Sequence, residues 1–226
     1  MRRVIVMVPI KTMLAHRANY GTKRGGPIEW LVMHYTANDG DSDTSNGRYF
    51  QQPLNPVASA HFFVDDDSIT ISVPEDYVAF HCGAYHYTHP FCRNYNSIGI
   101  EMCDAKRDGR VMATAKTIDN AADLAAMLCE KYNIPVDHII RHYDVTGKLC
   151  PKYWVDDPQG IVRFRNMVKE RIEMVSKCKM IVDGKEIEVE RILKDGTNYI
   201  KIRDIAKALD LEVSNKGNVP ILNHKQ

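Results

Sequence analysis

The chain has 226 residues, of which 44% are hydrophobic, enough for one full core and a small second one. Its 30 basic and 29 acidic residues leave a formal charge of +1, so no broad field favours nucleic acid or an anionic membrane. Six cysteines without a CxxC pair exclude a dense disulfide framework, and no stretch reaches the roughly 20 apolar residues of a membrane helix.

Met1-Arg2-Arg3 followed by Val4 to Ile10 begins like a secretion signal, but Pro9 interrupts the apolar run and Lys11 ends it. The segment reads as a strand or docking arm, and the chain as one made in the cytoplasm without a signal peptide. Glu29 to Thr36 is rich in strand formers and ends in the turn cluster Ala37-Asn38-Asp39-Gly40-Asp41, which predicts a buried strand with His34 at its C-terminal end. Ser59 to Val64, the acidic turn Asp65-Asp66-Asp67 and Ser68 to Val73 read as a hairpin that carries His61 on a strand. Asn96 to Cys103 is a third strand, with Ile98 and Ile100 on one face and Gly99 and Glu101 on the other. From Ala115 to Tyr132 apolar residues recur at helical spacing, predicting a core helix that buries Cys129. Val136 to His142 reads as a strand, the next residues through Pro151 as a loop, and Asp157 to Val175 as a closing helix. The pattern predicts an α/β domain over residues 1–175, a central sheet flanked by helices. A small α+β module over 178–226 follows, with Asp-Gly turns at 183–184 and 195–196 and a short helix from Ile202 to Leu211.

The segment from Arg141 to Pro151 sets an imidazole, an ammonium and a thiol on one strand-plus-loop unit. With His34 added, His142 and Cys150 complete three ligands of types that zinc accepts, leaving a fourth position for water. Spacing alone leaves open that each is a packed core residue. Four motifs, however, His34-Tyr35-Thr36-Ala37, Ser59-Ala60-His61-Phe62, Asn96-Ser97-Ile98-Gly99-Ile100-Glu101 and His142 to Pro151, stand in the order and approximate spacing of a known family. Over about Ile28 to Arg171 the chain resembles the type-2 N-acetylmuramoyl-L-alanine amidases, phage lysins and Bacillus-type autolysins that share their fold with the peptidoglycan recognition proteins.

The resemblance implies a mostly β sheet flanked by helices and one catalytic Zn2+ held by His34, His142 and Cys150. It implies hydrolysis of the amide between N-acetylmuramic acid and L-alanine in bacterial peptidoglycan. Glu101 corresponds to the strand glutamate that takes and returns the proton, and Lys148 to the lysine that places positive charge at the developing oxyanion. Some relatives carry a tyrosine immediately before the Ser-Ala-His-type histidine, where this chain has Ala60; that shifts the burden onto Glu101. His61, His81 and Tyr85 are expected to line the substrate groove. For the cluster from His81 to Cys92, a second structural metal and a Cys82–Cys92 disulfide stand as alternatives. The C-terminal module faintly resembles the small domain at the N-terminus of copper amine oxidases, also appended to clostridial wall proteins, without copper ligands; wall binding or dimerisation would suit it. A wall-lytic site without an export signal suggests a phage or prophage endolysin, released through a holin-type pore or by lysis. The alternative is a non-catalytic peptidoglycan-binding protein of the same fold.

Overall fold

The computed structural model describes residues 8–107, 109–172, 176–194, 197–216 and 219–224. By its internal contacts the chain divides into two compact units, one running to Ile172 and the other built from the chain beyond it.

The first unit is organised by a mixed sheet, which among the described residues has six strands in the order β1-β5-β4-β7-β3-β10. These are β1 (Ile10–Thr12), β3 (Trp30–Tyr35), β4 (Phe62–Val64), β5 (Ile69–Ile71), β7 (Ser97–Met102) and β10 (Ile139–Arg141). The short strands β2 (Tyr20–Lys23) and β6 (Tyr77–Ala79) pair with each other, as do β8 (Asp104–Arg107) and β9 (Arg110–Ala113). In the centre, β3 runs parallel to β7 and to β10, and β7 runs parallel to β4.

Strand side chains alternate between faces, and here the alternation separates two chemistries. Leu31, Met33, Ile98, Ile100, Met102, Phe62 and Val64 share one core with α2 (Ala115–Tyr132) and α5 (Gln159–Ile172). Alanines 121, 122, 125 and 126 let α2 approach this core closely, while Leu124 and Leu128 supply its bulk. Each large side chain buried here stabilises by roughly 1.5–3 kcal/mol. The opposite face carries Val32, His34, Gly99 and Glu101. Helix α2 is bounded as its sequence demands: the Thr114 side chain accepts the Thr117 N–H, and Asn133 ends it in the left-handed region at φ +54°. Between α2 and α5 come α3 (His142–Thr146) and α4 (Lys152–Asp156). The indole of Trp154 lies so close to Gly160 that a Cβ there would come within 2.3 Å of it.

Several sequence expectations are corrected. The strand after Ala60 begins at Phe62, so His61 precedes it. Residues 136–138 form a 3-10 turn, and the strand is confined to Ile139–Arg141. His142 opens a short helix, because Asp144 folds back to accept the Arg141 N–H at 2.8 Å and pairs with the Arg141 guanidinium at 2.6 Å. Helix α1 (Asp43–Phe50) was not anticipated, since DTSNGRYF lacks an apolar stripe; its signal is the reciprocal Ser42–Ser45 capping box. The closing helix starts at Gln159, after α4.

In the second unit, β11 (Ser176–Val182), β12 (Lys185–Lys194) and β13 (Thr197–Ile200) form an antiparallel sheet. Asp183 and Gly184, both at positive φ (+48° and +75°), make the expected two-residue turn. Helix α6 (Ile202–Ala208) and the hairpin of β14 (Leu211–Lys216) and β15 (Val219–His224) follow. The Asp-Gly pair at 195–196 and residues 1–7 of the N-terminal segment lie outside the described residues.

One buried ion network clamps α5 to α2. The Arg171 guanidinium, 10% exposed, pairs with Asp119 at 2.5 Å and with Asp123, which is 4% exposed. Removing the cation leaves Asp123 buried without its counter-charge, so Arg171→Met should destabilise the first unit by about 3–5 kcal/mol. A lowered urea midpoint with an unchanged slope would show it.

Candidate metal centre

Three donors converge where the polar face of the sheet meets the loop after β10. One ligand atom each from His34, His142 and Cys150 lies within 4.8 Å of the others, and all three residues are buried. His34 comes from the end of β3 and His142 from the start of α3. Cys150 arrives because the chain doubles back. Gly147 ends α3 in the left-handed region at φ +80°, its N–H bonded to the Tyr143 carbonyl, and the Tyr143 N–H then donates to the Cys150 carbonyl at 2.9 Å. A residue with a Cβ would be strained at that turn.

The hydrogen bonds determine which nitrogen of His34 is free. The Ser97 hydroxyl donates to the Arg93 carbonyl at 2.6 Å, so its lone pair takes the Nε2–H of His81 at 3.1 Å. His81 Nδ1 must then accept from His34 Nε2, 3.0 Å away. That leaves the Nδ1 lone pair of His34 pointing into the cluster, 3.8 Å from Cys150 Sγ and 3.9 Å from Glu101 Oε1. His142 Nδ1 is buried and without a partner among the described residues. Backing of one ligand and an orphaned nitrogen on another fit a metal ion, and two imidazoles with a thiol fit zinc.

Burial sets the protonation states. It pushes His34 well below the usual histidine range, helped by His142, His81 and Lys148. His142 falls to about 3 by burial and by the nearby Lys148 charge. Both imidazoles are therefore neutral at pH 7, the form that binds metals. Burial, with Glu101 nearby, raises the Cys150 thiol to about 12, so taking up a metal there releases a proton. Glu101 is raised to about 8, first by burial; Lys148 opposes this, and Asp104 and Asp41 add to it. Its Oε2 is buried with no partner among the described residues, although the side chain as a whole keeps 20% exposure. Lys148 is exposed on the loop before Cys150.

Two of the three residues expected in the groove, His61 and His81, are instead buried and engaged within the structure. His61 is fully buried. Its Nδ1 accepts the Gly99 N–H at 3.0 Å, and its Nε2 sits 3.1 Å from the Tyr77 carbonyl and 2.6 Å from Arg24. No ring nitrogen is left for a substrate. His81 backs His34, so both of its nitrogens are also engaged. Tyr85 is fully exposed on the loop between Cys82 and Cys92. Both of those cysteines are free and buried, and His34, His142 and Cys150 are the only metal-capable trio among the described residues.

Sequence reasoning missed Ser97 and Gly99. A Cβ at Gly99 would lie 2.5 Å from the His81 ring, so this strand glycine is a seat for the imidazole, a role its place inside a strand already hinted at. Cys150→Ser should abolish stoichiometric zinc. Ser97→Ala and Gly99→Ala should weaken zinc binding about 10- to 100-fold, through loss of the backing of His34. Competition against a chromogenic chelator measures both, and retention of full affinity by Ser97→Ala would remove the positioning role.

Comparison with known proteins agrees with this geometry. Residues 24–153 match the family described as N-acetylmuramoyl-L-alanine amidase. The chain is 34% identical, over 84% of its length, to the amidase CwlL of Bacillus licheniformis and 35% identical, over 67%, to the amidase BlyA of Bacillus subtilis. It covers 54% and 44% of those proteins, so it spans about half the length of the curated relatives it matches. The solved structure titled mutant endolysin from Bacillus subtilis superimposes with a TM-score of 0.59 at 27% identity, covering 72% of this chain and 99% of that one. With a matched segment that spans over half the chain and holds all three converging donors, the protein belongs to the type-2 N-acetylmuramoyl-L-alanine amidase family.

Proposed function

We propose that this chain is a zinc-dependent amidase that hydrolyses the bond between the lactyl group of N-acetylmuramic acid and L-alanine in bacterial peptidoglycan. The observation that carries the reading is the buried His34–His142–Cys150 trio with the unpaired carboxyl oxygen of Glu101 beside it. Zinc held by His34, His142 and Cys150 would supply Lewis acidity to the scissile carbonyl and to the attacking water.

The remaining work falls to side chains of the chain itself. His34 is held in one tautomer by His81 and Ser97, which costs no reorganisation during the reaction. Glu101, in a site dry enough to raise its pKa to about 8, takes the proton of the attacking water and returns it to the departing alanine nitrogen. Lys148, whose charge is felt at His34, His142 and Glu101, offsets negative charge on the tetrahedral oxygen. The likeness to an endolysin structure supports a role in lysis from within a phage-infected cell, with access to the wall after release. No helix among the described residues is long and apolar enough to cross a membrane. The C-terminal unit would raise the local concentration of the enzyme at an insoluble polymer.

Purified Gram-positive walls treated with the zinc-loaded protein should release alanine amino termini without new reducing ends, and a chelator should stop the release. Glu101→Gln should lower kcat by about 10²–10⁴-fold with KM little changed. Tight wall binding with bound zinc but no release from any wall would instead establish the non-catalytic binding protein.

A further inference from the structure

We propose that Cys82 and Cys92 form an oxidation site, which hydrogen peroxide closes into a disulfide that staples the loop behind both histidine ligands.

The neighbours of the six cysteines sort them. Cys129 lies in the core under α2, Cys103 in a separate cluster with Ala60 and Phe63, Cys150 in the trio and Cys178 in the second unit. Among the described residues only Cys82 and Cys92 share one apolar cluster, with Val32, Ile140 and Val145, and both are fully buried. Their sulfur atoms interact with each other and with the Ser97 hydroxyl, which is 3.9 Å from Cys82 Sγ. Each end of the pair is anchored. Asn94 Oδ1 accepts the Cys82 N–H at 2.8 Å and the Cys82 thiol at 3.2 Å, and His89 Nδ1 accepts the Cys92 N–H at 2.9 Å. Backbone and side-chain anchors thus hold two free thiols together.

Their cover is the segment 83–91, which contains no helix or strand and is exposed at Gly83, Ala84, Tyr85 and His86. Segments of this kind open locally at low free-energy cost, enough to admit a molecule as small as hydrogen peroxide. One sulfur, as thiolate, then attacks the peroxide: an S–O bond forms, the O–O bond breaks and water leaves. The second sulfur attacks the resulting sulfenic acid, forming S–S and breaking S–O, and a second water leaves with the remaining thiol proton. Two thiols and one hydrogen peroxide give one disulfide and two waters, with two electrons passing from sulfur to oxygen. The adjacent thiol captures the sulfenic acid before it is oxidised further.

The loop bears on both histidine ligands. His81 at its start backs His34. Farther along, the N–H groups of Thr88 and His89 donate to the Val145 carbonyl at 3.0 and 3.2 Å, and the Thr88 hydroxyl donates to the Asp144 carbonyl at 2.9 Å. These bonds tie the loop to the helix that begins with His142. Oxidation breaks no link of the His34 support, because Ser97 keeps the Arg93 carbonyl and His81. The disulfide therefore stiffens the loop and leaves the metal ligands in place.

The test uses the zinc-loaded full chain, treated with a slight excess of hydrogen peroxide, then denatured with a chelator and alkylated. The reduced protein should show six alkylated cysteines; after oxidation Cys82 and Cys92 should be lost from that set, joined to each other in peptide maps, with Cys150 still alkylated. Closing a loop of about ten residues restricts the unfolded chain, so the thermal midpoint should rise by about 5–10 °C and fall back on reduction. Cys82→Ala combined with Cys92→Ala should show neither the cross-link nor the rise, and the wild-type map stands even if that variant does not fold. Six free thiols after oxidation, a cross-link that maps elsewhere, or a disulfide that leaves the midpoint unchanged or lower overturns the proposal. None of these readouts involves wall hydrolysis, so each is decided independently of the amidase reading.

Discussion

The parallel pairing of β3 with β7 places His34 directly across from Glu101, and the rest of the site depends on that register. Both residues point away from the helical core because Leu31, Met33, Ile98, Ile100 and Met102 on the same two strands point into it. A slip of one residue would carry the ligand and the carboxylate into the apolar core and put the core residues into the site. The hydrophobic free energy that holds α2 and α5 against the sheet is therefore the same free energy that keeps the His34 imidazole and the Glu101 carboxyl side by side.

Burial does the second part. The trio is buried, so its imidazoles stay neutral, its thiol is pushed up to about 12, and burial raises the Glu101 carboxyl to about 8. His34 is tied to the backbone through a short relay, Arg93 carbonyl to Ser97 to His81 to His34. That relay consumes His81, which in sequence looks like a groove residue. His61 goes the same way, its ring held between the backbones of β6 and β7.

Around this dry centre the surface is divided by charge. Lys148 lies on the loop that brings Cys150 home, and the acidic stretch containing Asp41 lies on the loop that leaves β3.

From the amino-acid order came the candidates His34, His142, Cys150 and Glu101, the alternation that makes β7 two-faced, the full span of α2, the Asp-Gly turn at 183–184 and the family resemblance. Each is local, or carried by a motif whose residue types the chemistry requires. What only the tertiary structure decided were relations between distant segments: that His81 reaches back to His34, that Gly99 is empty so that an imidazole can rest on it, that His61 is sealed inside, and that α1 with its weak apolar pattern walls a cleft. Periodicity reports which face of an element is buried but not what meets it there, and a histidine looks the same in sequence whether it holds a metal, braces a ligand or supports a strand.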